Sequence, residues 1–286
     1  MKKALLTAAL AGIIASAAFA DSNVVSSANV VGYVQIEAAA PGAFKLLSVS
    51  QFSDGTTNNA ISIQDVIKNL ADMNPDVAGS GLDGVIDGDK LYVYNGLTYD
   101  EYALFQPTSG SPYWTTLGDT AWYVPGMDAT ASADTVARGI SCWIATAATG
   151  ISTNLVCSGD VYLDDTFDVS IKEGYTLVSY PFSSDITLDL LTLTNGIADV
   201  AGSGLDGVID ADKLYVYNGS TYDEYVLFQP TAGASYWTTP GDTAWYVPGM
   251  DATMATDTIE LGNGFWMETA TPSGKTITFE KIYTIN

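Results

Sequence analysis

Apolar and polar residues alternate along short stretches of the chain, a pattern that predicts half-buried β-strands. The clearest stretch is DKLYVYNGLTYDEYALF (89–105), in which tyrosines alternate with apolar residues on both sides of Asn95-Gly96. An Asn-Gly pair between two such runs is a strong signal for a hairpin turn. The same pattern returns around Asn218-Gly219, so the sequence predicts two equivalent hairpins.

Shorter runs predict further strands around each hairpin. YWTT and AWYVP are separated by Gly-Asp turns, and GISCWIATA is expected to pair with STNLVCSG across a turn at 147–150. Two weakly amphipathic segments, 63–70 and 188–193, predict one short helix in each half of the chain. Many short strands rich in Tyr, Val and Thr favour a mainly β fold with two tandem β-sandwich-like (or small barrel) modules.

The two halves of the chain are copies of each other. A shift of 123 positions aligns residues 77–147 with residues 200–270 without a gap, and 53 of these 71 positions are identical. The six tryptophans fall in matched pairs, namely Trp114 with Trp237, Trp122 with Trp245, and Trp143 with Trp266. A duplication of this length favours two domains over a solenoid, which needs three or more short repeats.

The alignment weakens outside this block, where FKLLSVSQF (44–52) resembles YTLVSYPF (175–182) at a shift of about 131. We therefore expect a boundary near residue 160, with module 1 at 21–160 and module 2 at 161–286. Within the block, 7 of the 54 positions in 77–130 differ between the copies, against 11 of the 17 positions in 131–147. Recent gene conversion and a shared physical demand on 77–130 both explain this unevenness.

The first 20 residues predict export. Lys2 and Lys3 precede an apolar, alanine-rich run, and Ala18-Phe19-Ala20 fits a signal peptidase site before Asp21. The apolar run is too short for a comfortable membrane span. We therefore expect a signal peptide at 1–20 and a mature protein that is secreted or held at the cell surface, with no membrane span.

The mature chain is strongly acidic, because removal of Lys2 and Lys3 leaves a formal charge of 8 minus 33, or −25. Such a surface repels nucleic acid and anionic lipid. Charged residues make up only 15% of the chain and hydrophobic residues 47%, so composition predicts packed cores.

The two cysteines, Cys142 and Cys157, are expected to form a disulfide in an exported protein.

The acidic, glycine-rich loop SGLDGVIDGDK (80–90) is a candidate calcium site. Its aspartates recur in the second copy, so the candidate ligands are Asp83, Asp87, Asp89, Asp206, Asp210 and Asp212. Carboxylates at this spacing suit a hard cation, although the spacing is not that of an EF-hand. Asp and Gly are also the usual turn residues before a strand, and both interpretations stay open.

Adjacent aromatic residues form a second candidate site, for a carbohydrate. The candidate sugar platform consists of Tyr113, Trp114, Trp122 and Tyr123, together with Tyr236, Trp237, Trp245 and Tyr246. A flat ring can stack on a pyranose face, but aromatic side chains also dominate small β cores. Trp143 and Trp266 lie in apolar strands, and we expect both in the cores.

Catalytic chemistry has little support in the sequence. The chain has no histidine, which excludes Ser-His triads, HExxH zinc sites and histidine general bases. Asp100-Glu101 and Asp223-Glu224 are neighbours on a strand and would point to opposite faces, whereas a glycosidase needs two carboxyl groups across one cleft. We therefore expect no catalytic residues and no enzyme activity.

The order LVSYPF, TLDLL, DKLYVYNGxTYDEY, a tryptophan pair and GNGFW resembles an uncharacterised β module that recurs, singly or in tandem, in exported bacterial surface proteins. The resemblance covers most of both modules and implies a β fold and export, without a function.

The sequence therefore predicts an exported structural or interaction protein with a duplicated binding or assembly surface. Its expected partners are other surface proteins, further copies of itself or polysaccharide. The alternative is a pair of carbohydrate-binding modules, calcium-dependent if the acidic loops bind the ion.

Overall fold

The fold was obtained as a computed structural model of the chain. The structure describes residues 31–37, 39–48, 60–76, 87–106, 119–126, 131–151, 154–191, 193, 196–198, 211–229, 243–248, 254–270 and 274–282, and the backbone of 52–53. The predicted signal peptide at 1–20 lies outside these residues. Within them, no helix is long and apolar enough to cross a membrane.

The described residues are mainly β. The strands of the first copy are β1 (Val31–Ile36), β2 (Phe44–Leu47), β3 (Phe52–Ser53), β4 (Ala60–Ser62), β5 (Lys90–Tyr94), β6 (Tyr99–Phe105), β7 (Ala121–Tyr123), β8 (Thr135–Ala137), β9 (Cys142–Ala145) and β10 (Leu155–Val161). Those of the second copy are β11 (Thr166–Ile171), β12 (Gly174–Val178), β13 (Ile186–Thr187), β14 (Lys213–Tyr217), β15 (Tyr222–Phe228), β16 (Ala244–Tyr246), β17 (Thr258–Ile259), β18 (Phe265–Thr269) and β19 (Lys275–Glu280). Each strand pair in the described residues joins two strands of the same copy.

A five-stranded antiparallel sheet forms the centre of each module. Its strand order is β2-β9-β5-β6-β7 in module 1 and β12-β18-β14-β15-β16 in module 2, so every strand has a counterpart at the same place. The predicted hairpins are confirmed, with Tyr94 paired to Tyr99 at the end of the first. The side-chain oxygen of Asn95 accepts the N–H of Thr98 at 2.9 Å, and Gly96 adopts a φ of +99° to close the turn.

A second layer of strands covers one face of each central sheet. In module 1 this layer contains the sheet β1-β10-β3, and in module 2 it contains the pair β11-β19. The core of module 1 joins Leu91 and Cys142 of the central sheet to Leu155 and Cys157 of the second layer. Neither central sheet closes on itself in the described part of the chain, so the sandwich-like prediction is confirmed over the small barrel.

The predicted helices are shorter than the sequence indicates. Module 1 has 3-10 helices at Ile63–Asp65 and Leu70–Asp72, whereas residues 188–190 of module 2 form only a turn. Val66 and Ile67, between the two 3-10 helices, are fully buried. Tertiary packing therefore sets the backbone of this short segment, which is too short for helical propensity to dominate.

The predicted disulfide is wrong, because Cys142 and Cys157 are both free. Their strands do not pair: β9 lies between β2 and β5, whereas β10 lies between β1 and β3. The two thiols therefore enter the core from different layers instead of facing each other across a hairpin. Burial raises the pKa of both thiols, and that of Cys157 reaches about 12.

We expect a thiol-specific chromogenic reagent to detect no thiol in native protein and two after unfolding without reductant, since Cys142 and Cys157 are the two cysteines and both are buried and free. The Cys142→Ser variant should show one thiol under the unfolding conditions. An unfolded wild-type chain without reactive thiols would instead establish a disulfide.

Candidate interaction surface

Asp89 closes the acidic loop of module 1 as a buried structural residue. Its carboxylate accepts the backbone N–H of Asn74 at 3.0 Å, the side-chain amide of Asn74 at 3.1 Å and the backbone N–H of Ala147 at 2.7 Å. These bonds tie the start of β5 to two distant segments. A buried carboxylate is stabilised by several N–H donors of this kind.

Asp212, the counterpart of Asp89 in module 2, is also buried and accepts hydrogen bonds from a different set of donors. It accepts the backbone N–H groups of Ile197 at 2.8 Å and Ala270 at 3.1 Å, which are the positions equivalent to Asn74 and Ala147. Ile197 has no side-chain amide, and the ammonium of Lys275 forms an ion pair with Asp212 instead. The two copies therefore satisfy the same buried carboxylate in two ways.

Of the other predicted calcium ligands, Asp87 is the one that lies among the described residues. Asp87 is exposed, and Asp83, Asp206 and Asp210 lie outside the described residues. Among the residues that are described, there is no group of three or more metal-ligating side chains. The carboxylate oxygens of Asp89 and Asp212 accept hydrogen bonds from N–H donors in distant segments. Each aspartate therefore links these segments structurally, a role that we call the clamp.

We expect Asp89→Ala and Asp212→Ala each to lower the free energy of unfolding by about 2–4 kcal/mol, because each change leaves buried N–H donors without an acceptor. Asp87→Ala is the matched control and should change stability little, since Asp87 is exposed. Urea unfolding in the presence of a chelator measures this without any contribution from a bound cation. Equal effects of Asp87→Ala and Asp89→Ala would contradict the clamp.

The aromatic residues predicted as a sugar platform are core residues where the structure describes them. Trp122 and Trp245 are both 0% exposed, and the indole N–H of Trp245 donates to the carbonyl of Leu191 at 3.0 Å. Tyr123 and Tyr246 are also buried. These rings present no face to a ligand. Tyr113, Trp114, Tyr236 and Trp237 lie outside the described residues.

The expectation that Trp143 and Trp266 lie in the cores is wrong. Cys142 and Ile144 are buried on the core side of β9, so Trp143 between them points to the opposite face. Trp266 has the same place on β18, and both tryptophans are half-buried. The period-two pattern of β18 carries this signal, because Glu268 follows Trp266 by two positions and lies on the same face, whereas the residues of β9 around Trp143 are apolar or small.

These tryptophans belong to a continuous series of ten aromatic rings, which we call the aromatic band. Its members are Phe44, Tyr92, Tyr94, Tyr99 and Trp143 in module 1, and Tyr175, Tyr215, Tyr217, Tyr222 and Trp266 in module 2. Neighbouring ring centroids in the series are 5.0–6.4 Å apart, with tilted or edge-on geometry. Contacts of this geometry are favourable beyond their buried area.

Two contacts of the aromatic band join the modules. The rings of Tyr94 and Trp266 lie 5.0 Å apart with an interplanar angle of 78°, and those of Trp143 and Tyr217 lie 5.4 Å apart at 76°. Tyr217 is the counterpart of Tyr94, and Trp266 is the counterpart of Trp143. The same edge-on contact is therefore made twice, with the roles of the modules exchanged.

The flanks of the aromatic band are open to solvent. Its most exposed rings form two counterpart pairs, Phe44 at 54% with Tyr175 at 46%, and Tyr99 and Tyr222 at 41% each. Exposed large rings next to one another are unusual on a soluble protein surface unless they contact a partner. The band is therefore the strongest candidate for a binding surface in the described residues.

Charges beside the aromatic band are paired. Lys90 lies 2.8 Å from Glu101, and its counterpart Lys213 lies 3.6 Å from Glu224. The hydroxyl of Tyr215 donates to Glu268 at 2.6 Å, and burial together with this hydrogen bond raises the pKa of Tyr215. A tyrosine with a raised pKa remains neutral over the physiological range, so the Tyr215 ring stays uncharged on an otherwise acidic protein.

Comparison with family models, curated proteins and solved structures gives no match to the chain. The function is therefore inferred from the aromatic band itself, from its exposure, and from the way in which it crosses from one module to the other.

Proposed function

We propose that the chain is an exported, non-catalytic interaction protein whose contact surface is the aromatic band. The observation that supports this proposal is the unbroken series of ten rings across both modules, with four of them widely exposed. Tyr and Trp are enriched where proteins contact partners, because they combine a large apolar area with few rotatable bonds. The cores already contain their own aromatic residues, so the band is not needed to fill them.

The duplication therefore produces one extended aromatic surface that spans both modules. The two aromatic faces meet through Tyr94 and Trp266 and through Trp143 and Tyr217, so they form one continuous area. A partner that is long enough to touch both modules gains from the second contact, because that contact forms at a high effective concentration. This favours a polymer or an extended protein over a small molecule.

The carboxylates near the aromatic band have structural partners, which supports a non-catalytic role. Asp100 accepts the side-chain amide of Asn95 at 2.9 Å, and Glu101 pairs with Lys90. The counterpart Asp223 accepts the amide of Asn218 at 3.0 Å. Neighbouring residues of a strand face opposite sides, so neither carboxylate pair encloses a scissile bond.

A carbohydrate ligand is the second candidate, and the exposed, uncharged rings on the flanks of the aromatic band favour it. Flat rings such as Phe44 and Tyr175 can stack on pyranose faces, and stacking requires no charge on the ligand. The strongly negative protein would repel an anionic polysaccharide, so the proposed ligand is neutral. This candidate moves the sugar platform from Trp122 and Trp245 to the aromatic band.

We expect the double variant Phe44→Ala/Tyr175→Ala to bind the partner about tenfold more weakly or worse, because it removes two exposed contact rings. Tyr33→Ala is the matched control, since Tyr33 is 59% exposed on β1 and lies outside the aromatic band. Binding is measured by tryptophan fluorescence during titration with neutral and anionic soluble polysaccharides, and by sedimentation with cells of the source organism.

Each outcome of this titration is informative. A fluorescence change with neutral polysaccharide that disappears in the double variant supports the carbohydrate candidate. Cell binding without a response to polysaccharide, again lost in the double variant, supports a protein partner. Wild-type protein that binds neither, or a double variant that binds as well as Tyr33→Ala, would overturn the proposed function.

A further inference from the structure

One pair of backbone hydrogen bonds between the modules is symmetric, like the aromatic contacts. The N–H of Ser48 in module 1 donates to the carbonyl of Gly262 in module 2 at 2.8 Å. The N–H of Ser179 in module 2 donates to the carbonyl of Gly139 in module 1 at 2.9 Å. Ser179 is the counterpart of Ser48, and Gly262 is the counterpart of Gly139. Each module therefore uses the same donor and the same acceptor toward the other.

Gly139 and Gly262 are also packed in equivalent ways, each against a side chain of the opposite module. A Cβ at Gly139 would lie 2.4 Å from Val169 on β11, and a Cβ at Gly262 would lie 2.7 Å from Ile36 on β1. Both glycines have positive φ angles, +80° and +91°, so glycine is required by conformation as well as by space. Each turn thus receives a side chain from the first strand of the opposite module.

One contact joins a residue to its own counterpart. Ser141 and Gly264 are equivalent positions, and a Cβ at Gly264 would lie 2.6 Å from the Cβ of Ser141 and 2.2 Å from its Oγ. The Ser141 hydroxyl also donates to the carbonyl of Val178 in module 2 at 2.8 Å. Contacts between equivalent residues occur only on a two-fold axis, and exchanged pairs surround such an axis in an isologous interface.

Apolar side chains are buried on this side of the sheets. Leu46 and Leu177 are counterparts that pair with Trp143 and Trp266, so they lie on the face of the aromatic band. They are 3% and 1% exposed, although neither belongs to a core cluster. This burial indicates that the contact between the modules removes apolar surface from water, as a stable interface requires.

We propose that the modules form an isologous dimer interface within one chain, so that the natural partner of module 1 is a module 2. The connection at 162–165 holds the modules near each other, but the symmetric contacts hold them together without it. Gly264 sets the specificity of this interface. Two serines on the axis would collide, so module 1 does not pair with a second module 1, whereas serine opposite glycine fits.

This specificity accounts for part of the uneven divergence between the copies. The segment 131–147, in which 11 of 17 positions differ from module 2, contains the axis residue Ser141, whose counterpart is Gly264, whereas the interface glycine Gly139 is retained as Gly262. In a dimer of identical modules, a residue on the axis must fit against itself. Fusion of the two modules into one chain removes that restriction, because the two residues that meet on the axis are then separate positions of one sequence.

The experiment uses the whole chain with a protease recognition sequence inserted after Leu163, which is 44% exposed in the connection. After cleavage, the two halves should remain associated and elute at the volume of the uncut protein in size-exclusion chromatography at micromolar concentration. The Gly264→Ser variant should weaken this association about tenfold or more, because it places two serines on the axis.

Two further variants separate a broken interface from a misfolded module. Ser141→Gly should keep the halves together, since glycine on both sides of the axis fits. The exchange variant Ser141→Gly/Gly264→Ser should restore association, because a single serine again faces a glycine. Circular dichroism of each uncut variant confirms that it is folded. Wild-type halves that separate after cleavage, or an exchange variant that associates no better than Gly264→Ser, would overturn the proposal, whatever ligand the aromatic band binds.

Discussion

A β-sheet has two faces, and burying only one of them leaves every second side chain directed outward. In this protein the outward face of each central sheet carries large rings beside paired charges such as Lys90 and Glu101, and among the described residues no second layer of the same module covers the rings. The other module partly covers that face through Tyr94 with Trp266 and Trp143 with Tyr217. The arrangement of the modules and the position of the exposed rings both depend on this contact.

The duplication explains why the contact is built from pairs. A surface that meets its own copy needs no second surface, because every favourable contact is made twice around the axis. Once both copies lie in one chain, the residues of a contact pair can be substituted independently, provided that the two side chains in contact still fit each other. Asp89 and Asp212 show the same freedom inside the modules, since an amide from Asn74 in one copy is replaced by the ammonium of Lys275 in the other.

The sequence was informative where a local pattern determines the structure and misleading where distant segments meet. The Asn-Gly hairpins and the mainly β fold followed from alternation and turn residues, which act over a few positions. The disulfide depended on pairing β9 with β10, and the topology places these strands in different layers. Trp143 was expected in the core and lies on the outward face, and for Trp122 a sugar platform and core packing were both open, because both residues occur in short apolar strands, in which either face can be the buried one. The clamp role of Asp89 could not be predicted either, since its donors lie 15 and 58 positions away.

The central claim is that the two aromatic faces are packed against each other in the folded chain. A double-mutant cycle on Tyr94→Ala and Trp266→Ala, measured by urea unfolding, tests it most directly, because these residues are far apart in sequence and belong to different modules. The account predicts a coupling free energy of about 0.5–1.5 kcal/mol, the size expected for an edge-on aromatic pair. The same cycle on Tyr94 and the buried Trp245 should show no coupling. Additive effects of Tyr94→Ala and Trp266→Ala would contradict the packed arrangement of the modules.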